Sequence, residues 1–326
     1  MVAVGLVSKY GLFRDCGGGL ADRGCSGWGG QPVSWQERGR ALVTGGGSGI
    51  GRAICMELAA RGWYVAVSDI DPGAGQETVN RIEAVGGAGC FERLDVTQEE
   101  HWNDLVQRLR QEWPSLDLLV NNAGVCAGGA LDAMSLETWD WVYEINLRGA
   151  MLGCRACVPW LKENPRKSYI MNIASVAGLI QAPRMAAYNV SKAALVALTE
   201  TLAHELHEDR IGVTAVCPWF SPTNLARAGR FCQAAEEQFA IAQLANSAVT
   251  PEQIAREGLR ATLAGQVICV VGRQARWLRF MQRLSPGLLR WLIRLWIRQA
   301  ASRKTTVAEA GRLASPVVSE APALHE

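Results

Sequence analysis

From residue 40 to residue 271, short apolar runs alternate with stretches of helical periodicity, and this alternation is the strongest constraint on the fold. Runs at 41–44, 64–68, 89–94, 116–120, 168–174, 213–217 and 266–271 read as strands. Stretches at 49–61, 75–85, 99–112, 135–162, 187–208 and 251–263 read as helices. Strands separated by helices of this length pair in parallel through right-handed crossovers, with both faces of the sheet covered. The expected fold class is therefore α/β, a doubly wound parallel sheet in a single domain, residues 40–271. Residues 1–39 are rich in glycine (Gly17, Gly18, Gly19, Gly27, Gly29, Gly30) and show no sustained period. They also lack the charged start, apolar run and cleavage site of a secretory signal, and read as a flexible N-terminal extension. Residues 272–326 read as a separate basic segment.

The sequence Thr44-Gly45-Gly46-Gly47-Ser48-Gly49-Ile50-Gly51 falls where the first strand must turn into the first helix. Glycines there allow a tight turn and a close approach to a pyrophosphate, which the helix N-terminus meets with free N–H groups and a positive dipole end. Asp69 ends the second strand, 18 residues after Gly51. A carboxylate at that point can accept hydrogen bonds from ribose hydroxyls and repels a 2′-phosphate. No Arg or Lys lies within the turn, where Ser48 stands. The expected cofactor is NAD(H) in preference to NADP(H). The competing reading, in which an aspartate merely caps the next helix, suits Asp71 better, because Pro72 follows it.

Thr44-Gly-x-x-x-Gly-x-Gly51, Asn121-Asn122-Ala123-Gly124, Ser175 and Tyr188-x-x-x-Lys192, in this order, resemble the short-chain dehydrogenase/reductase family. The resemblance covers residues 40–271 and implies a seven-stranded Rossmann sheet. It implies that Asp95 meets the adenine with Val96 beside it. It also implies that Asn121 opens a loop, continued by Asn122, Ala123 and Gly124, that steadies the sheet and borders the nicotinamide ribose. Tyr188 and Lys192, four residues apart on a helix, share one face. A phenol titrates near pH 10, and a neighbouring ammonium favours its anion, which can take the proton of an alcohol as the carbon loses hydride. By the same resemblance Lys192 also holds the nicotinamide ribose. Ser175, 13 residues before Tyr188, follows a strand and can hold the substrate oxygen. Asn146 matches the helix asparagine that holds a water in the family's proton relay. The expected activity is interconversion of a secondary alcohol and a ketone by an NAD-dependent enzyme assembled as a homodimer or homotetramer. A non-catalytic dinucleotide-binding scaffold is the alternative, although a scaffold has no need of a proton donor beside the nicotinamide.

After the sixth strand the family often has Pro-Gly, whereas this chain has Pro218-Trp219. Pro218 and Thr223 are expected near the carboxamide. Trp219 and Phe220 either roof an apolar substrate pocket or pack locally, and residues 224–247 form the variable lid. Arg184 is expected in solvent rather than on an anionic group. Cys154-x-x-Cys157 sits inside a helix and has no second ligand pair, which argues against a metal. A net charge of +2 gives no reason to expect nucleic acid as a partner, and the expected location is cytoplasmic. The charge is uneven, however: residues 258–308 hold ten Arg or Lys and no Asp or Glu. Arg276, Arg279, Arg283, Arg290, Arg294 and Arg298 form a stripe opposite Trp277, Met281, Leu284, Leu288, Trp291, Leu292, Leu295 and Trp296. Ser285-Pro286 should start a new helix, 287–299. Two readings stand for residues 276–299: contact with a membrane surface, or an apolar face that covers the pocket or a partner subunit.

Overall fold

The computed structural model describes residues 39–288, 290 and 291. The expected extension therefore lies outside the described residues apart from Gly39, as does the tail after Trp291. In chain order the elements are β1 (Arg40–Thr44), α1 (Gly49–Ala60), β2 (Tyr64–Asp69), α2 (Pro72–Ala84), β3 (Ala88–Arg93), α3 (Glu99–Glu112) and β4 (Leu118–Asn121). They continue with β5 (Ala127–Gly128), α4 (Leu136–Tyr143), α5 (Gly149–Glu163), β6 (Ser168–Ile173), α6 (Ala186–Glu205), β7 (Ile211–Pro218) and β8 (Arg230–Phe231). Last come α7 (Ala234–Ala245), α8 (Pro251–Leu263), β9 (Ile268–Val271) and α9 (Arg273–Leu284).

Seven strands form one parallel sheet in the order β3-β2-β1-β4-β6-β7-β9. Successive strand residues point to opposite faces, so a strand covered on both sides must be apolar throughout. In β1, Ala41 and Val43 join the core formed with Ile54 and Leu58 of α1, Ile82 of α2 and Ile254 and Leu259 of α8. Leu42 points the other way, into the core formed with Trp102, Leu105 and Leu109 of α3 and Trp160 and Leu161 of α5. The strand order reverses between β1 and β4, and their carboxyl ends open the crevice in which such sheets hold ligands.

The predicted helix 135–162 is three pieces. Between α4 and α5 lies a π-helical turn, Glu144–Arg148. Asn146 is drawn out of register there by the backbone of Val125: its Oδ1 accepts from Val125 N at 2.8 Å and its Nδ2 donates to Val125 O at 2.9 Å. Gly149 then packs so close to Val96 that a Cβ would lie 2.8 Å from a Val96 methyl. The lid region contains α7 and also β8, which pairs in parallel with β5 through Ala127–Arg230 and Gly128–Phe231. This two-residue ladder has no periodicity to betray it in the sequence. Of the predicted helix 287–299, residues 287, 288, 290 and 291 are helical, and the remainder lies outside the described residues.

Candidate active site

The glycine turn leaves β1 with Gly45 at φ 61° and enters α1 with Gly49 at φ 50°, conformations that carry no penalty only for glycine. A Cβ at Gly51 would lie 2.1 Å from the Gly45 carbonyl oxygen, so the turn closes only with glycine there. A Cβ at Gly47 would lie 2.7 Å from Asp69 Oδ2, which instead accepts the Gly47 N–H at 2.9 Å. Asp69 Oδ1 accepts from Asp71 N at 3.1 Å, and Asp71 caps α2 by accepting from Gly73 N and Ala74 N. Asp69 is thus fixed across the glycine turn and Asp71 is the cap. The N–H groups of Gly49, Ile50 and Gly51 in the first turn of α1 have no acceptor within the helix, and Ser48 is exposed beside them. Together these features leave a cradle of unpaired N–H groups at the start of α1. Arg52, one residue beyond the turn, does not enter it: its guanidinium is held by Thr78, Glu77 and the Gly47 carbonyl.

Thr44 and Asn122 tie that turn to the loop after β4. The Thr44 hydroxyl accepts from Asn122 N at 3.0 Å and Ala123 N at 3.1 Å, and Asn122 Nδ2 donates to the carbonyls of Thr44 and Gly45. These bonds make the two residues braces of the crevice. Asn121 points into the protein, where its Nδ2 donates to Asn172 of β6, which in turn donates to Thr199 of α6. Asp95 accepts from the backbone and hydroxyl of Thr97, and Val96 O accepts from Trp102 Nε1 at 3.0 Å. A cavity of about 670 Å³ opens there, lined among others by Ile70, Asp95, Trp141, Ile145 and Arg148. It lies at the Asp95 end of the crevice, and Tyr188 is not among its walls.

Ser175, Tyr188, Lys192 and Asn146 come together and all are buried. Ser175 follows β6 and its Oγ accepts from Ala177 N at 3.1 Å, which seats the hydroxyl at the head of a short turn. Lys192 Nζ donates to the Ile173 carbonyl at 2.8 Å and stands 5.9 Å from the centre of the Tyr188 ring. A Cβ on Gly124 would lie 3.2 Å from Asn146 Oδ1 and 3.3 Å from Lys192 Nζ, which places both beside the loop after β4. Burial pushes the Tyr188 phenol upward, against a smaller downward pull from the Ser175 hydroxyl. Burial lowers the Lys192 ammonium to about 8. Desolvation therefore outweighs the attraction that the Tyr-Lys spacing suggests, and shifts both groups toward their neutral forms. Both Nδ2 hydrogens of Asn146 are taken up, by Val125 O and by Ser191 Oγ at 3.1 Å, whereas Oδ1 accepts one bond, from Val125 N, and keeps a second lone pair.

The wall around Tyr188 is apolar: Cys126, Ala177, Met185, Leu225 and Phe231 pack with it. The sequence points to Leu225 and Phe231 only as lid residues and gives no sign of Cys126 or Met185. The β5–β8 ladder brings them together across about a hundred residues of chain. Trp219 stacks edge-on with Phe220 and packs on the core beneath the α1/α8 face, which is the local-packing alternative for this residue. Thr223 lies over the glycine turn, since a Cβ on Gly49 would meet its methyl at 3.2 Å. Arg184, at φ 62°, pairs with Glu236 of α7 and so ties the segment before Tyr188 to the lid. Cys154 and Cys157 are buried inside α5, where burial pushes Cys154 to about 12 and Cys157 upward as well.

The sequence profile of the short chain dehydrogenase family matches residues 40–230. The chain belongs to that family. A cyclopentanol dehydrogenase of Comamonas sp. (strain NCIMB 9872) is 40% identical over 177 residues, 54% of this chain and 70% of that protein. A CLA biosynthesis dehydrogenase/reductase of Lactiplantibacillus plantarum is 32% identical over 186 residues, 56% of this chain and 65% of that protein. A short chain dehydrogenase/reductase from Burkholderia phymatum, solved in complex with NAD, superposes with a TM-score of 0.73 at 29% identity. The superposition covers 78% of this chain and 95% of that one. This short chain dehydrogenase is an oxidoreductase with the Rossmann-like sheet of its family.

Proposed function

We propose that the protein interconverts a secondary alcohol and a ketone on an apolar substrate, using NAD(H) in preference to NADP(H). The observation that carries this reading is the joint burial of Ser175, Tyr188 and Lys192 beside a glycine cradle that side chains would fill. The cradle fits a dinucleotide: Gly45, Ser48, Gly49, Ile50 and Gly51 would hold its pyrophosphate, and Asp69 its adenosine ribose. Asp95 and Val96 would border the adenine, Ala123 and Gly124 the nicotinamide ribose, and Pro218 and Thr223 the carboxamide. A nicotinamide held there would supply the acceptor or donor of the hydride.

The remaining work belongs to the chain. Ser175 Oγ holds the substrate oxygen. In oxidation Tyr188 Oη takes the hydroxyl proton as the carbon loses hydride; in reduction it returns that proton as the carbon gains hydride. The ammonium of Lys192 and the positive ring oppose the burial that keeps the phenol protonated. Asn146 positions the lysine through the loop after β4, and a water in the relay would meet its Oδ1 or the main chain. The apolar wall of Cys126, Met185, Leu225 and Phe231 favours a substrate with few polar groups beyond the reacting oxygen. Assembly as a dimer or tetramer through α5 and α6 completes the reading, and light scattering in solution tests it.

A panel of lipophilic ketones and secondary alcohols, followed at the nicotinamide absorbance with NAD(H) and with NADP(H), tests the whole proposal; silence across the panel would defeat it. Asp69→Ala should lower the NAD/NADP ratio of kcat/KM by about 10–100-fold, the worth of a charge-assisted hydrogen bond. An unchanged ratio removes the ribose contact. The value of about 8 for Lys192 predicts a pH dependence with a definite sign. Below pH 8 the side chain is charged and can donate to the ribose hydroxyls; above it the charge is lost. NAD affinity should therefore fall as pH rises through 8, and Lys192→Met should bind more weakly with a flat profile. Calorimetric titration across that range reads both, and a wild-type profile as flat as that of Lys192→Met would refute the contact.

A further inference from the structure

We infer that α9 is a docking surface for an anionic phospholipid bilayer. At 3.6 residues per turn, Ala275, Leu278, Arg279 and Gln282 share one face of α9. That face turns inward: Ala275 is fully buried, and Gln282 Nε2 donates to the Leu179 carbonyl at 2.6 Å. The opposite face presents Trp277, Phe280 and Leu284, which are 55%, 61% and 68% exposed. Beyond Ser285, Leu288 and Trp291 are exposed as well. The apolar stripe therefore does not cover the pocket; it looks outward.

The charges carried by α9 itself are all of one sign. Arg273, Arg276 and Arg283 lie along the stripe or on its flank and are exposed, as is Arg290 farther on. Arg276 is paired with Glu257 at 2.5 Å, while among the described residues Arg273, Arg283 and Arg290 make no ion pair. No Asp or Glu occurs anywhere in residues 258–308 that could neutralise them locally.

A helix that faces only water hides its aromatic residues and exposes its arginines. Here both are exposed side by side, the arrangement that lets indole, phenyl and isobutyl groups enter the headgroup boundary while guanidinium groups meet lipid phosphates. A second protein fits less well. A partner that covered this face would have to meet its arginines with acids, whereas a phospholipid surface supplies phosphates throughout. Among the described residues no helix is long and apolar enough to cross a membrane, so the contact is with the surface. Because Gln282 holds Leu179, just past the turn that begins at Ser175, a docked bilayer lies one helix away from that serine.

Co-sedimentation of the full chain with phosphatidylcholine vesicles, with or without about one-third phosphatidylglycerol, tests the inference. The wild type should bind the anionic vesicles, release them at high salt and ignore the neutral ones. Trp277→Ser/Phe280→Ser and, separately, Arg273→Gln/Arg283→Gln should each weaken binding by about tenfold or more. All four side chains are exposed, so melting temperature and vesicle-free turnover should match the wild type. Failure of the wild type to bind anionic vesicles overturns the inference, as does unchanged binding by the aromatic double variant. A change in oligomeric mass in that variant, by light scattering, would make the face a protein interface instead. Vesicle binding is read without substrate, so it succeeds or fails independently of the proposed reaction.

Discussion

Tyr188→Phe should lower turnover by about 10²–10⁴-fold, the range that a positioned general acid or base supplies, while leaving NAD binding within a factor of about two. The expectation follows from what the substitution removes. The phenyl ring keeps its packing against Cys126, Ala177 and Phe231. Only the hydroxyl is lost, and with it the pull that the Ser175 hydroxyl exerts on the phenol. Losing one buried hydroxyl from a neutral hydrogen bond costs about 1 kcal/mol of stability, too little to unfold a domain with two extensive cores. Steady-state rates on the best substrate of the panel, with calorimetric titration of NAD, separate chemistry from binding. Turnover close to that of the wild type would move the proton-transferring group elsewhere.

Gly51→Ala should abolish dinucleotide binding and destabilise the protein by about 1–3 kcal/mol, the usual cost of forcing extra volume into a packed site. The added methyl would sit 2.1 Å from the Gly45 carbonyl oxygen and 2.4 Å from Asn122 Nδ2. The first of these is backbone, and moving it breaks the bonds from Asn122 that join the turn to the loop after β4. Gly73→Ala is the matched control: it also lies in the first turn of a helix, and its Cβ would meet nothing nearer than Asp71 Oδ1 at 3.4 Å. That variant should melt at or slightly above the wild-type temperature and bind NAD normally. Equal behaviour of the two alanine variants, in thermal melts and NAD titration, would show that the turn tolerates a side chain.

The two predictions rest on features of different legibility. The Tyr188-x-x-x-Lys192 spacing and the glycine turn are local, and helix geometry alone puts the first pair on one face. That Lys192 is buried, and leans toward its neutral form, depends on β6, α6 and the loop after β4 closing around it, which no window of sequence contains. The same holds for Asn146. Its place in a helical stretch is readable, but the π-helical turn arises because Val125, 21 residues earlier, takes up its amide. Arg52 is a third case: its place just past the glycine turn is readable, but its bonds to Glu77 and Thr78 of α2 and to the Gly47 carbonyl are not.

What the sequence by itself determined were the properties set by neighbours along the chain. These are the alternation of strands and helices, the glycine turn that only a missing Cβ permits, the cap at Asp71 ahead of Pro72, and the amphipathic pattern of α9. Tertiary structure alone decided which way that amphipathic helix faces, that Thr44 and Asn122 brace each other, and that a two-residue ladder gathers Cys126 and Phe231 around Tyr188. The physical reason is range. Backbone sterics and helical period act over a few residues and leave their mark in composition, whereas burial, desolvation and long-range hydrogen bonds are fixed only when distant segments compete for the same space.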